Sequence, residues 1–221
     1  MLLIITCVAP AWAQSRSLDE GPIVRRQLLY RSDRLEVATS LGHSLTGTYQ
    51  RTAFLASALN YHLTNTFSMG LNAAWGALRY NTQLMDEIES TTPSIARTLS
   101  VAETVLYTDF HLGYVPYYGK FNFLERKTVN FDFHLVAGAA GDLVLSDSDQ
   151  LSGFKFGPSF GAGMRFFING DTAINVEVTD HIYSMADVQR ESQRVEERFT
   201  HQVMLSVGAS FFVTGELHTS R

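Results

Sequence analysis

Residues 154–166 read F-K-F-G-P-S-F-G-A-G-M-R-F, and their alternation decides the fold. Phe154, Phe156, Pro158, Phe160, Ala162, Met164 and Phe166 fall on one face of an extended chain. Lys155, Gly157, Ser159, Gly161, Gly163 and Arg165 fall on the other. Side chains alternate across a strand, so one face here is apolar and bulky while the other is polar or tiny. The same division recurs along the chain. Val203, Leu205, Val207, Ala209 and Phe211 oppose Gln202, Met204, Ser206, Gly208 and Ser210. Met69, Leu71, Ala73 and Trp75 oppose Ser68, Gly70, Asn72 and Ala74, and Ile174, Val176, Val178 and Ile182 oppose Asn175, Glu177, Thr179 and His181. Leu106, Phe110, Leu112 and Tyr114 oppose Tyr107, Asp109, His111 and Gly113; Val129, Phe131, Phe133, Leu135 and Ala137 oppose Asn130, Asp132, His134 and Gly138. Weaker versions start at Leu35 and Ala53, which predicts eight strands.

Polarity decides which face is wet. A soluble barrel has an apolar interior and a charged exterior. In these segments the apolar face is almost free of Lys, Arg and Glu, whereas the opposite face holds small, polar and charged residues. That is the inverted pattern of a barrel with lipid outside and a polar lumen inside, and each segment is long enough to cross a bilayer when tilted. The expected fold is therefore all-β, an eight-stranded antiparallel up-and-down transmembrane β-barrel occupying 32–213.

The connections agree with that topology. Short turns are expected at Thr64-Asn65-Thr66 and at Asn169-Gly170, and longer polar loops near 43–51, 78–103, 141–153 and 184–199. Short turns alternating with long loops place the long loops outside the cell. The stretch 116–127 is the exception, being long for a periplasmic turn. Tyr61, Phe67, Tyr114, Tyr117, Phe166, Phe167, Phe211 and Phe212 lie near the expected periplasmic ends and are assigned to an aromatic girdle there.

Composition narrows the function classes. The chain has 221 residues and a formal net charge of -5, with 45% hydrophobic and 18% charged residues. A soluble domain carries nearer a quarter charged residues. Without a basic patch or a basic pI, nucleic acid is not an expected partner. Leu2 to Val8 form an apolar run ahead of Ala11-Trp12-Ala13, so 1–13 reads as a signal peptide cleaved between Ala13 and Gln14, although no Lys or Arg precedes the run. Cys7 is the one cysteine and lies within that segment, so disulfides are not expected. Residues 14–31 would form a periplasmic segment and 214–221 a C-terminal tail. The expected location is the outer membrane, with its lipids and the barrel assembly machinery as partners.

Five stretches carry a family resemblance: R-S-D-R-L-E-V at 31–37, L-N-Y-H-L-T at 59–64, V-P-Y-Y-G-K-F at 115–121, F-D-F-H-L-V-A-G at 131–138 and V-G-A-S-F-F at 207–212. In that order they resemble the outer membrane β-barrel domain family of myxobacteria and other deltaproteobacteria, a small barrel of eight strands. The resemblance implies a closing strand that ends in an aromatic assembly signal; here nine residues, Val213 to Arg221, follow Phe212. It also implies envelope protein partners, with a gliding-motility complex among the alternatives.

Chemistry-bearing residues concentrate on the polar face. Glu36, His62, Asp109, His111, Asp132, His134, Lys155, Arg165, Glu177 and His181 are expected to form a structural lumen network, because a narrow barrel is filled by side chains that must satisfy one another. A hairpin turning about 121–122 would set Asp109 opposite His134 and His111 opposite Asp132. Two Asp and two His could alternatively converge on a metal, but the expectation is no metal, no cofactor and no enzyme. A lipid-modifying hydrolase would need Ser, His and an acid at the outer rim. The available pairings are His43-Ser44 and Ser57 with His62, and Ser57 faces lipid while His62 faces the lumen. A secreted soluble β-barrel is the remaining alternative. Asp147-Ser148-Asp149 lacks the ligand set of a calcium loop. A short amphipathic turn (Leu84, Met85, Ile88) within 80–92 offers a surface for a partner, and the mixed-sign stretch 186–198 reads as a solvated loop.

Overall fold

A computed structural model describes residues 31–96, 101–123, 127–146, 152–189 and 194–213. The sequence readings of 1–30, 147–151 and 214–221 lie outside the described residues, the cleavage at Ala13–Gln14 and the Asp147-Ser148-Asp149 loop among them. Eight strands run β1 (Arg34–Ser44), β2 (Gln50–His62), β3 (Phe67–Asn81), β4 (Glu103–Phe123), β5 (Lys127–Leu145), β6 (Gly153–Phe167), β7 (Thr172–Gln189) and β8 (Arg194–Phe212). Each pairs antiparallel with its neighbours, and β1 pairs with β8 from Glu36↔Phe212 to Ser44↔Met204, which closes the barrel. Closure removes the free sheet edges that a bilayer core cannot satisfy.

The faces follow the alternation. Leu41, Leu71, Leu78, Phe154 and Phe156 are all more than half exposed on the outer surface, whereas Glu36, Asp132 and Asp142 are fully buried inside. An apolar exterior around a charged interior is the arrangement of a membrane-spanning barrel. No helix among the described residues is long and apolar enough to cross a membrane, a statement that does not bear on strands.

Two short turns join strands where the sequence places them. Between β2 and β3, Thr64 Oγ1 accepts from the backbone N–H of Thr66 (3.2 Å) and Phe67 (2.9 Å). Between β6 and β7, Asn169 Oδ1 accepts from the N–H of Asp171 (3.0 Å) and Thr172 (2.8 Å), the Asx geometry that suits Asn to turns. The opposite end carries α1 (Gln83–Thr91) and α2 (Pro93–Ala96). Thr82 caps α1 by accepting from Met85 N–H at 3.4 Å, and Met85 is the buried residue of the amphipathic stretch.

Two expected loops are strands instead. Residues 184–189 and 194–199 continue β7 and β8 as a hairpin arm that pairs only with itself beyond the barrel wall. Glu196-Glu197 between Val195 and Phe199 breaks the apolar–polar alternation by which a strand is read. At the short-turn end, Tyr117–Phe123 and Lys127–Phe133 pair as a β4–β5 ribbon, so most of 116–127 is strand rather than turn. Likewise β5 runs on to Leu145 through part of the expected loop 141–153.

Candidate functional site

The lumen is a stack of four layers, each set by inward positions of several strands. The lowest, at the short-turn end, is aromatic and cationic. Phe167 and Phe212 stack with centroids 6.0 Å apart, and the guanidinium of Arg34 lies 4.9 Å from the Phe212 ring centroid. Both phenylalanines are at most 6% exposed, which removes them from the expected girdle. The reason is the pleat: in each Phe-Phe pair, Phe166-Phe167 and Phe211-Phe212, only one ring can face lipid. Tyr61, Phe67, Tyr114, Tyr117 and Phe211 are exposed, while Phe166 is half-buried against Phe121 and Phe131.

Above it lies an ionic belt. Arg165 Nη1 stands 3.2 Å from Glu36 Oε2 and 3.9 Å from Asp132 Oδ2. His62 Nε2 donates to Glu36 Oε2 at 2.8 Å. Arg31 donates from Nη1 to Asp132 Oδ2 and from Nη2 to the Asn65 carbonyl (2.9 Å), while its backbone N–H donates to Asn65 Oδ1 (2.7 Å). Two guanidinium groups thus face two carboxylates, and none of the four residues is more than 6% exposed. Charges this deep require such neutralisation. Arg31 belongs to the segment expected to lie free in the periplasm; the structure instead folds it into the barrel mouth.

The third layer surrounds a cavity of about 60 Å³, room for a few water molecules. Asp109 Oδ1 lies 2.5 Å from His111 Nδ1, and His111 Nε2 donates to Asn60 Oδ1 at 3.1 Å. His134 Nε2 donates to Glu177 Oε2 at 2.9 Å, with its Nδ1 3.5 Å from Asp132 Oδ1. The pairing of Asp109 with His134 and of His111 with Asp132 is therefore incorrect. In the register, Asp109 meets Ala140, His111 meets Gly138 and Asp132 meets Tyr118. A bulge between Tyr114 and Tyr117 and pairing that continues to Phe123↔Lys127 move the hairpin axis past 121–122. Each half of the repeat instead joins Asp to His two residues along the same strand.

Glycine makes this layer possible. A Cβ on Gly163 would stand 2.6 Å from His134 Nε2, and one on Gly70 would stand 2.6 Å from His111 Nε2. Each imidazole occupies the space left by a glycine on the next strand.

The fourth layer is apolar. Phe54, Ala56, Ala74, Tyr107, Ala140 and Met204 form a buried cluster inside the barrel, so the lumen is not polar throughout. Next to it His181 Nδ1 pairs with Asp142 Oδ2, both essentially unexposed, and the imidazole packs against Tyr107 and Tyr183. Asp142 escaped the sequence reading because it falls in the expected loop 141–153. Lys155, expected in the network, is half-buried opposite Asp142 in register.

No three His, Cys, Asp or Glu side chains among the described residues converge in metal-binding geometry. Ser57 is exposed on the outer face while His62 is 3% exposed inside, so the two do not meet. His43 contacts Tyr80 on the outer surface, and Ser44 accepts from Thr52 N–H at 2.9 Å.

No protein-family model matches the chain, and no curated protein matches it. Solved structures similar to it include the outer membrane protein OprG from Pseudomonas aeruginosa, at 12% identity over 85% of this chain and 99% of that one, with a TM-score of 0.49. The N-terminal β-barrel domain of Pseudomonas aeruginosa OprF follows at 10% identity over 82% and 98%, with a TM-score of 0.48. Outer Membrane Protein W of E. coli gives 13% identity over 83% and 99%, with a TM-score of 0.45.

Proposed function

We propose that this chain is an outer membrane β-barrel whose passage is closed by its own side chains, and that it serves the envelope as a structural or interaction component without catalytic activity. The observation that carries this reading is the neutralised belt of Arg31, Glu36, Asp132 and Arg165 across the lower lumen. Barrels of eight strands have interiors just wide enough for side chains to fill, whereas open aqueous channels belong to barrels of about 16 strands. The apolar layer around Phe54 and Met204 adds a second barrier above the belt. The apolar exterior supports insertion among outer membrane lipids with help from the assembly machinery. The short-turn end then faces the periplasm and the helices face outward.

Resemblance of the stretches at 31–37, 59–64, 115–121, 131–138 and 207–212 to deltaproteobacterial barrels supports an envelope partner, with a motility-type complex as one candidate. The β4–β5 ribbon and the β7–β8 arm reach past the barrel wall on its two sides and supply surfaces for it. The test is single-channel recording on the purified barrel in planar bilayers, with membrane fractionation and a heat-modifiable gel shift as controls. A folded, membrane-associated barrel without steady conductance is expected. Stable ohmic openings in the unmodified protein would refute closure, and recovery in the soluble fraction would refute insertion.

A further inference from the structure

We propose that the open bowl above the apolar layer is a binding site for a neutral saccharide. The inference rests on the outward orientation given under the proposed function. The bowl has a volume of about 540 Å³, within the range of small-molecule sites. Its chemistry sets the ligand class. Among the described residues that line it none is Lys, Arg, Asp or Glu, and the wall combines hydroxyl, amide and tyrosyl groups such as Thr46, Tyr49, Thr104, Tyr183 and Gln202 with the apolar Val101, Ala102 and Met185. The imidazole among the described lining residues, His201, is turned to Asp180 at 2.8 Å. A phosphorylated or carboxylated ligand would find no countercharge among the described lining residues, and an acyl chain would leave these polar groups without partners. A polyhydroxylated neutral molecule matches both donors and acceptors.

One polar group on the wall, the Gln202 amide, is prepared for such a molecule. Gln202 Oε1 accepts from Thr104 Oγ1 at 2.7 Å and from the Tyr183 hydroxyl at 3.5 Å. This fixes the amide and leaves its two N–H donors for a ligand. A fixed amide donor beside the threonine hydroxyls of Thr46, Thr48 and Thr200 suits the alternating hydroxyls of a sugar. Tyr49 supplies ring surface for its C–H face. The sugar could be free in the medium or attached to an outer-leaflet lipid, and the chemistry at the bowl is the same.

The test uses the full mature chain refolded in a zwitterionic detergent without a sugar headgroup, with tyrosine ring resonances followed during titration with maltose, lactose and N-acetylglucosamine. Saturable shifts with a millimolar Kd are expected for at least one of them, and none for glucose 6-phosphate. Gln202→Leu should weaken binding about tenfold, as loss of one or two neutral hydrogen bonds predicts, with the gel shift unchanged. Should Gln202→Leu not fold, Tyr49→Ala provides the same reading, because it removes ring surface from the bowl while the Tyr49 carbonyl that holds Thr82 is kept. A second arm places the protein in nanodiscs with and without lipopolysaccharide. Shifts only with lipopolysaccharide, lost in the variants, assign the lipid-linked glycan as the source. A folded, membrane-inserted barrel that responds to no neutral sugar and to no lipopolysaccharide overturns the site while leaving the barrel reading intact. Equal affinity in parent and variants overturns it as well.

Discussion

Replacing Arg165 with Met separates a neutralised lumen from one that is merely crowded. Arg165 Nη1 lies 3.2 Å from Glu36 and 3.9 Å from Asp132. At an effective dielectric of about 20, these separations give attractions of about 5 and about 4 kcal/mol. Burying the guanidinium costs several kcal/mol and offsets roughly half of that sum. Methionine fills similar volume, so packing is largely kept and the remainder is electrostatic. The expected loss is about 3–5 kcal/mol, in the range for stranding buried charges. With a urea slope of about 2 kcal/mol per molar, the unfolding midpoint should fall by about 2 M. The assay is urea unfolding of the barrel in phosphocholine vesicles, read by gel shift and by the emission of lipid-facing Trp75. Adding Glu36→Gln to Arg165→Met should recover part of the loss, because one stranded charge is removed, and the double-mutant cycle then isolates the coupling. Lys120→Met, on the exposed β4–β5 ribbon, is the contrasting control, expected to shift stability by less than about 0.5 kcal/mol. An Arg165→Met midpoint equal to the parent's would refute the argument that the belt holds the lower barrel together.

Gly163→Val should destabilise by about 1–3 kcal/mol, since its Cβ would meet His134 Nε2 at 2.6 Å and the Val176 carbonyl at 2.9 Å; the same urea titration checks it. Phe54→Ala should cost about 3–5 kcal/mol through the cavity left in the apolar layer. Planar bilayers should still show no conductance in that variant, because the ionic belt below is intact. On the outer face, Leu71→Arg should cost about 2–4 kcal/mol in vesicles if Leu71 sits at mid-bilayer depth, as its place four residues above Phe67 implies. A loss near zero would displace the membrane band from that level.

Strand identity and facing were legible because alternation records them directly, as in 154–166, where exposed Phe154 and Phe156 flank half-buried Lys155. Register was not, because it depends on where a hairpin turns and how many residues its bulges absorb. The irregularity at Tyr114/Tyr117 and the long ribbon carried Asp109 and His111 away from their expected partners. Arg31 and Asp142 were missed for a related reason, since a charge in a segment read as coil is assigned to solvent. The inward turn of Phe167 and Phe212 had a signal available in the adjacent Phe-Phe pairs. The apolar layer had none, because Phe54 and Met204 are single bulky residues on otherwise small or polar faces.

The belt also bears on how the barrel is made. Its Glu36 sits on the first strand directly across from Phe212 on the last, a ring of the layer below, and both contact Arg165 from the sixth. Until the first and last strands meet, the Glu36 carboxylate and the Arg165 guanidinium have no common interior to share. Zipping of the seam and quenching of the charge are therefore one event. A half-curled sheet retains its exposed ions and keeps an affinity for water, and only the finished cylinder is fully compatible with lipid. Completion of the circle is thus coupled to insertion, which gives the chain an internal criterion for having folded.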